Sequence, residues 1–226
     1  MSAVLGTPLS RDFCGRPAAP VRILHLGLGG FVRAHAAWYT EHAPDADRWG
    51  IAAFSNSNTA IADRLTAQNG LYTLVVRAAD GDHREVIGSL AAAHRGGDHA
   101  AWLAYWRRPE LAVVTLTVTE AGYTCTADGR LDTELPSVQA DIAALRADPE
   151  APVHTAAARL LAGLAARTRS GGGPVAIVPC DNLPGNGRVT ARVVRELAEA
   201  IGMAPLRAAA DHASYVTSVV DRITPY

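Results

Sequence analysis

Residues 21–35, VRILHLGLGGFVRAH, place a short apolar run directly before a glycine-rich turn. The run VRILHL is typical of a buried parallel strand, and a helix is predicted after the turn. A dinucleotide-binding turn needs one glycine for the tight bend and a second where the backbone approaches the pyrophosphate. Gly27 and Gly29 meet these needs, but Val32 stands where a third glycine is expected. The stretch is therefore either a dinucleotide-binding turn with an altered last position or an ordinary tight turn.

Strands and helices alternate along the rest of the chain. Strands are predicted at residues 21–26, 49–54, 72–78, 84–94, 111–118 and 174–180. Helices are predicted at about residues 31–42, 59–68, 98–107, 136–147, 153–168 and 186–201. The turn Asp80-Gly81-Asp82 joins two of the strands as an inserted β-hairpin. The alternation predicts an α/β fold with a doubly wound, mainly parallel sheet, in which ligands bind beyond the carboxyl ends of the strands.

Length and composition fit one large domain, or one domain with an incomplete neighbour. The chain has 226 residues, of which 49% are hydrophobic and 19% are charged. Residues 1–20 contain three prolines and are predicted to form an irregular arm, with residues 21–226 as the domain. The net charge of −1 gives no reason to expect nucleic acid or an anionic membrane as a partner. The N-terminus lacks a signal-peptide pattern and the three cysteines lack CxxC spacing, so we expect a reducing, cytoplasmic location and predict no metal site.

The position that usually holds the ribose of a dinucleotide lacks an acidic residue. In dinucleotide-binding folds an Asp or Glu at the end of the second strand accepts hydrogen bonds from the ribose. Here that strand ends in FSNSN, and the nearest acid, Asp63, lies well inside the following helix. Ser55, Asn56 or Asn58 could hold the ribose as neutral partners. The missing acid weakens the case for strict NAD selectivity and also for an S-adenosylmethionine site.

Three further polar stretches come directly after predicted strands or close the chain. They are LTVTEAGY (116–123), CDNLPGNG (180–187) and VVDRITPY (219–226). Each has an ordinary structural interpretation. Thr119 and Glu120 could cap a strand end, Asp181-Asn182 could begin a turn, and Asp221-Arg222 could form a surface ion pair. Their joint placement favours a binding site instead.

Five stretches in the same order resemble the polyol-specific long-chain dehydrogenases, the family that contains mannitol 2-dehydrogenase, fructuronate reductase and tagaturonate reductase. The family's signatures are similar to GxGxFxRAH, QDGLYTLV, TLTVTEKGY, CDNLPxNG and VDRITP. This chain resembles them at residues 27–35, 68–75, 115–123, 180–187 and 220–225. The resemblance implies a Rossmann-like dinucleotide-binding domain.

The resemblance also accounts for part of the altered turn. Relatives usually carry histidine, not glycine, at the position of Val32, so the missing third glycine is a feature of the family. This chain departs again at Ala121, where relatives commonly have lysine, and at Asn69, where they have aspartate. Both substitutions fall inside the signature stretches.

The activity that the resemblance implies is hydride transfer between nicotinamide and a secondary alcohol carbon of an open-chain polyol or sugar acid. The cofactor-binding residues are then Gly27, Gly29, Phe31, Thr117, Thr119, Glu120 and Asn182, with Ser55 at the ribose. Asn182 would approach the reacting carbon and Asp221 the substrate, as the catalytic residues. The cofactor is expected to be NAD, and NADP stays open because Arg64 is the nearest arginine to the ribose position.

The family's catalytic base is not in this sequence. Relatives carry a second, mainly helical domain with a Lys-x4-Asn-x2-His arrangement, whose lysine removes the alcohol proton. This chain stops at Tyr226, and all 21 of its basic residues are arginine. His25 and His35 are the nearest substitutes by sequence.

We therefore expect the cofactor-binding domain of a polyol or hexuronate dehydrogenase, with the helical catalytic domain absent and negligible turnover by this chain alone. The alternative is a stand-alone NAD(P)-binding sensor or scaffold. Apolar groups near residues 215–220 would pack against the second domain in relatives, so we also expect self-association.

Overall fold

The computed structural model of the chain describes residues 9–56, 58–220 and 224. Its strands are β1 (Val21–Leu26), β2 (Gly50–Phe54), β3 (Tyr72–Ala78), β4 (Gly81–Ile87), β5 (Leu90–His94), β6 (Val113–Leu116), β7 (Val175–Pro179) and β8 (Ala213–Tyr215). Its α-helices are α1 (Arg11–Cys14), α2 (Gly30–Ala34), α3 (Ala36–Glu41), α4 (Thr59–Ala67), α5 (His99–Trp106), α6 (Pro136–Ala147), α7 (Ala156–Arg169), α8 (Asn186–Ile201) and α9 (Ala204–Ala210). Short 3-10 helices lie at Ala46–Arg48 and Glu120–Tyr123.

Six of the strands form one parallel sheet in the order β5-β2-β1-β6-β7-β8, and β3 and β4 form a separate antiparallel hairpin. The chain moves outward from β1 through β2 to β5 and then returns to the other side of β1 with β6. The strand order therefore reverses between β1 and β6, which is where open α/β sheets bind ligands. The predicted doubly wound sheet with an inserted hairpin is confirmed.

Helices cover both faces of the sheet and enclose two hydrophobic clusters. The larger cluster contains Trp102 and Trp106, which are both fully buried. A β-carbon on Gly163 of α7 would lie 2.2 Å from the Trp106 ring, so only glycine lets the indole pack against this helix. The two tryptophans therefore serve the core, and burial of such large aromatic surfaces contributes strongly to stability.

The single strand predicted at residues 84–94 is two elements. β4 ends at Ile87, and β5 begins at Leu90 and joins the main sheet beside β2. The backbone N–H groups of Gly88 and Ser89 both donate to the Glu41 carboxylate, at 2.8 and 2.7 Å. This contact with α3 holds the connection between β4 and β5, where the chain leaves the hairpin. The break depends on a residue distant in the sequence, so local periodicity did not predict it.

The helix predicted at residues 31–42 is also two elements, α2 and α3. His35 adopts φ −116° and ψ −87°, which interrupts the helix, and its ring stacks on Phe31 at a centroid distance of 4.7 Å. The strand predicted at residues 111–118 is confined to Val113–Leu116. Helix α9 and strand β8 were not predicted from the sequence.

The N-terminal arm is tied to the domain by arginines. Arg11 donates to the backbone oxygens of Gly88 and Leu90 at 2.8 and 3.0 Å, and Arg16 donates to that of Val86 at 2.9 Å. The arm also holds the single turn α1, which was not predicted. Within the described part of the chain, no helix has the length and apolarity to cross a membrane.

Candidate functional site

Two adjoining cavities open at the carboxyl edge of the sheet, where β1 and β6 lie side by side. The larger, of about 880 Å³, is formed around the glycine-rich turn and is here called the turn cavity. The smaller, of about 600 Å³, reaches the N-terminus of α7 and is here called the helix cavity. The residues that line both are Asn56, Thr117, Val118 and Thr119. Both volumes fall in the range of ordinary ligand sites.

Gly27 makes the bend that leads out of β1. Its φ of +113° lies in a region that favours glycine, and a β-carbon there would lie 2.4 Å from both the backbone oxygen and the Oγ1 of Thr117. The Thr117 hydroxyl donates to the Gly27 oxygen at 2.8 Å. The bend is thus pinned to the end of β6, as the first position of a dinucleotide turn requires.

Gly29 and Val32 have different surroundings. A β-carbon on Gly29 would have its nearest neighbour at 3.7 Å, so the fold itself does not require glycine there. A glycine at a position with free space is consistent with leaving room for a ligand on the backbone. Val32 is 1% exposed and packs in the smaller hydrophobic cluster, so the position of the expected third glycine serves the core.

His25 supports the turn from within the sheet. It is completely buried, and its Nε2 lies 3.1 Å from the Gly27 oxygen, while its Nδ1 lies 2.7 Å from the Thr115 hydroxyl. Since a carbonyl can only accept, Nε2 carries the proton and Nδ1 accepts from Thr115. Burial lowers the pKa of His25 to about 4, so the ring is neutral at physiological pH. His25 therefore positions the turn and is not placed to accept a substrate proton.

The residues after β2 form one wall of both cavities. Ser55 is fully buried, and its hydroxyl accepts from the Gly96 N–H at 3.1 Å, so this side chain holds the neighbouring loop. Asn56 is exposed and lines both cavities. Asn58 caps α4 through the Ala60 N–H and also lines the turn cavity. Of the three neutral candidates for the ribose, Asn56 and Asn58 are exposed, and of the three Asn56 alone lines both cavities.

The end of β6 supplies the floor between the cavities. Thr117 and Thr119 line both of them, and their contact with a cofactor stays a prediction. Glu120 is exposed and begins the 3-10 helix Glu120–Tyr123, and it is not among the lining residues of either cavity.

Asn182 follows β7 at the same edge and is exposed, outside the lining of either cavity. Its neighbour Asp181 accepts a hydrogen bond from the Tyr123 hydroxyl, which explains the acid as a structural partner of the 3-10 helix. Burial, followed by the Asp181 contact, raises the pKa of Tyr123 well above its ordinary value, so this hydroxyl stays protonated. Cys180 lines the turn cavity, and burial raises the pKa of its thiol to about 11.

Asn186 is a residue that sequence reasoning missed. It is fully buried at the start of α8, and its amide donates to the backbone oxygens of Asp181 and Ser218 at 3.0 and 3.1 Å. Its Oδ1 accepts from the Ser218 N–H at 3.1 Å. Asn186 thus ties the loop after β7 to the segment after β8. Its place in the CDNLPGNG stretch was the available signal.

The predicted catalytic residue Asp221 lies outside the described residues. Thr224, further along the same VDRITP stretch, is described and lines the turn cavity beside Gly30. Thr224 therefore lies at the glycine-rich turn. Gly27, Gly29, Phe31, Thr117 and Thr119 are brought together around one cavity, and Ser55 stands at its neighbour.

The charge of the turn cavity suits an anionic ligand. No acidic side chain is among its described lining residues, whereas Arg33 and Arg64 are. Arg33 is held by a bond from its Nε to the Gly29 oxygen at 3.0 Å. Two arginines beside an open backbone turn match the needs of a pyrophosphate, whose charge is bound well by such groups.

The fold and this edge can be compared with known proteins. Residues 21–226 match the family model of the mannitol dehydrogenase Rossmann domain. The chain belongs to the mannitol dehydrogenase family. It is 33% identical over 223 residues to mannitol 2-dehydrogenase of Cereibacter sphaeroides, and the alignment covers 96% of this chain and 46% of that protein. It is 32% identical over 227 residues to D-mannonate oxidoreductase of Escherichia coli K12, with 96% and 46% covered.

Among solved structures of the family, the chain is similar to Pseudomonas fluorescens mannitol 2-dehydrogenase in a ternary complex with NAD and D-mannitol. The TM-score is 0.84 at 29% identity, and the match covers 97% of this chain and 48% of that one. The family and fold inferred from the five sequence stretches are thus confirmed. The chain spans a little under half the length of these relatives.

Proposed function

We propose that this chain is the nicotinamide-dinucleotide-binding part of an oxidoreductase that interconverts a polyol or sugar acid with its ketose or keto acid, with NAD as the cofactor. The observation that carries the proposal is the turn cavity at the point of strand-order reversal. There the Gly27–Gly29 backbone, Arg33 and the end of β6 face an open space without a described acidic side chain. The relatives named above, one of them bound to NAD and D-mannitol, support the cofactor and the substrate class.

Individual residues take the following parts in this proposal. Gly27 and Gly29 present backbone to the pyrophosphate, with Phe31 completing the turn. Asn56 binds the ribose, while Ser55 holds its loop in place. Thr117 and Thr119 line the nicotinamide side of the site. Glu120, which is exposed beside them, is proposed as a more distant contact of the cofactor.

Asn182 and Asp221 are proposed for the substrate side. Asn182 is exposed just beyond the carboxyl end of β7, where its amide can donate to and accept from an alcohol or carbonyl oxygen. Asp221 belongs to the stretch that brings Thr224 to the turn cavity. Both roles rest on the family resemblance, and that of Asn182 also on its place at this edge.

The chemistry when NAD is bound is the transfer of a hydride to or from the carbon that carries the alcohol. In this proposal the residues of this chain bind and orient the cofactor and the substrate. Neither His25 nor His35, the two histidines considered as the base, is suited to that role. His25 is buried and neutral, and His35 is stacked on Phe31, outside the lining of both cavities. We therefore propose that the proton is removed by a group outside these 226 residues.

The proposal is tested by mixing the chain with NADH and following both binding and turnover. NADH fluorescence should change saturably on addition of the chain, because the turn cavity supplies the binding groups. Oxidation of NADH with D-fructose or D-fructuronate should stay at the buffer rate, since the proposed base lies outside these 226 residues. Lack of binding would contradict the proposed cofactor site, and rapid oxidation would contradict the proposed location of the base.

A further inference from the structure

A third arginine close to these cavities has a guanidinium nitrogen with no hydrogen-bond acceptor among the described residues. Arg159 of α7 is only 6% exposed, and its Nη2 is buried without a hydrogen-bond partner. No carboxylate of the described residues lies within ion-pair distance of it. Burial lowers the pKa of Arg159 to about 10, which still leaves the group charged at physiological pH. A buried charge without a partner is costly and calls for an explanation.

The same helix shows how a purely structural arginine is satisfied in this fold. Arg167 is 2% exposed and donates to the backbone oxygens of Trp106, Arg108, Leu111 and Gly173, at 3.2, 3.0, 2.9 and 2.5 Å. Among the described residues, the Arg159 guanidinium instead lies over two ring faces, those of Trp102 at 4.7 Å and Phe54 at 5.8 Å. A ring face attracts the cation but accepts no conventional N–H···O bond. The contrast indicates that the acceptor for Arg159 comes from outside the chain.

The place from which an acceptor could come is the helix cavity, of which Arg159 is a lining residue. The cavity also meets the N-terminus of α7, at the N-cap residue Thr155 and at Ala156. No acidic side chain is among its described lining residues. The nearby Asp141 accepts from the His154 and Thr155 N–H groups at 2.9 and 2.8 Å, so each of its oxygens is bonded to the backbone and neither pairs with Arg159. A helix N-terminus and a cation at one cavity form an environment for an anion.

We propose that the helix cavity binds an anionic group, a phosphate or a carboxylate, through the Arg159 guanidinium and the N-terminal end of α7. The cavity shares Asn56, Thr117 and Thr119 with the turn cavity. The group can therefore be a free anion or the 2′-phosphate of a dinucleotide. The second source rests on the proposed function, and the first does not.

The free-anion source is tested with inorganic phosphate at constant ionic strength, with chloride as the balancing anion. Thermal unfolding of the unchanged chain should shift upward and saturate with phosphate. The apparent affinity should fall by about tenfold or more in Arg159→Met, since a charge-assisted bond is lost. Arg207→Met removes an equal charge from the exposed surface of α9 and should respond as the unchanged chain does.

The 2′-phosphate source is tested by calorimetric titration of NADH and NADPH into the same proteins. If Arg159 holds the 2′-phosphate, Arg159→Met weakens NADPH by about tenfold and leaves NADH unchanged. The proposal is overturned if Arg159→Met alters neither the phosphate response nor the NADPH affinity. A chain that binds phosphate through Arg159 but binds no NADH would sink the proposed function and leave the anion site standing.

If the Arg159→Met variant does not fold, the unchanged chain is tested instead. Its crystals can be soaked in selenate, and selenium can be located by anomalous scattering. Selenium within hydrogen-bond reach of the Arg159 guanidinium supports the site. Selenium bound elsewhere, with none beside Arg159 in an open helix cavity, contradicts it.

Discussion

At the scale of single residues, the two glycines of the turn differ in whether the fold requires them. Gly27 is required by the backbone, because its φ is +113° and a side chain would meet Thr117 at 2.4 Å. Gly29 has free space around it. The family pattern groups the two glycines together, but only the structure separates their physical reasons.

Gly27→Ala is expected to destabilise the chain. A positive φ and a clash with backbone cost on the order of 1–3 kcal/mol each in comparable cases. Urea unfolding should show this loss in the free energy of unfolding, while Gly29→Ala should change it little. Equal losses for the two variants would contradict the division of roles.

His25 predicts a pH dependence of stability. Its pKa is about 4 in the folded protein against an ordinary value of 6.5, so the unfolded chain binds a proton in this window and the folded chain does not. The stabilisation is complete above pH 6.5 and is lost as the pH falls towards 4, by roughly 3 kcal/mol. His25→Gln should remove this part of the slope in urea unfolding between pH 7 and pH 4. His94 and His99 also have pKa values lowered mainly by burial, and they remain in both proteins. Parallel profiles for the two proteins would contradict the assignment to His25.

At the scale of elements, local periodicity correctly predicted the helices and strands whose bounds depend on their own sequence pattern. Helices α6 and α8 have the predicted bounds, and β1 does too. The errors fall where a distant contact decides the structure. The strand predicted at residues 84–94 is divided because Glu41 binds the Gly88 and Ser89 N–H groups. The sequence of residues 84–94 alone does not indicate this contact.

Glu41→Ala is therefore expected to weaken the junction between the hairpin and the main sheet. Two partly buried N–H groups would lose their acceptor, at a cost of about 2–3 kcal/mol in the free energy of unfolding. Asp63→Ala serves as the matched control, because its carboxylate pairs with Arg95 on the exposed surface and should matter little. Similar effects of the two changes on urea unfolding would show that Glu41 does not hold the junction.

At the scale of the whole molecule, the alternation of strands and helices was enough to predict the sheet, its parallel sense and the edge where the two cavities open. The candidate site was predictable in part. Gly27, Gly29, Thr117 and Thr119 meet at that edge because each follows a central strand. The buried supports His25 and Asn186 were not predicted as such, since their roles depend on neighbours far away in the sequence.

Self-association stays a prediction of the exposed surface near the end of the chain. Val216 and Val219 are 42% and 87% exposed, and exposed apolar groups favour association when they lie close together. Light scattering should show a mass above that of one chain, and the double change Val216→Ser, Val219→Ser should lower it. A single-chain mass for the unchanged protein at high concentration would contradict this expectation.

The central claim is that the turn cavity binds a nicotinamide dinucleotide over the Gly27–Gly29 backbone. Calorimetric titration of NADH into the unchanged chain and into Gly29→Val tests it most directly, because a β-carbon has room in the fold, and the side chain would stand where the pyrophosphate is proposed to approach the backbone. We predict one NADH bound per unchanged chain, and binding weakened by at least about tenfold in a folded Gly29→Val. Absence of binding to the unchanged chain, or equal affinity for both proteins, would contradict the account.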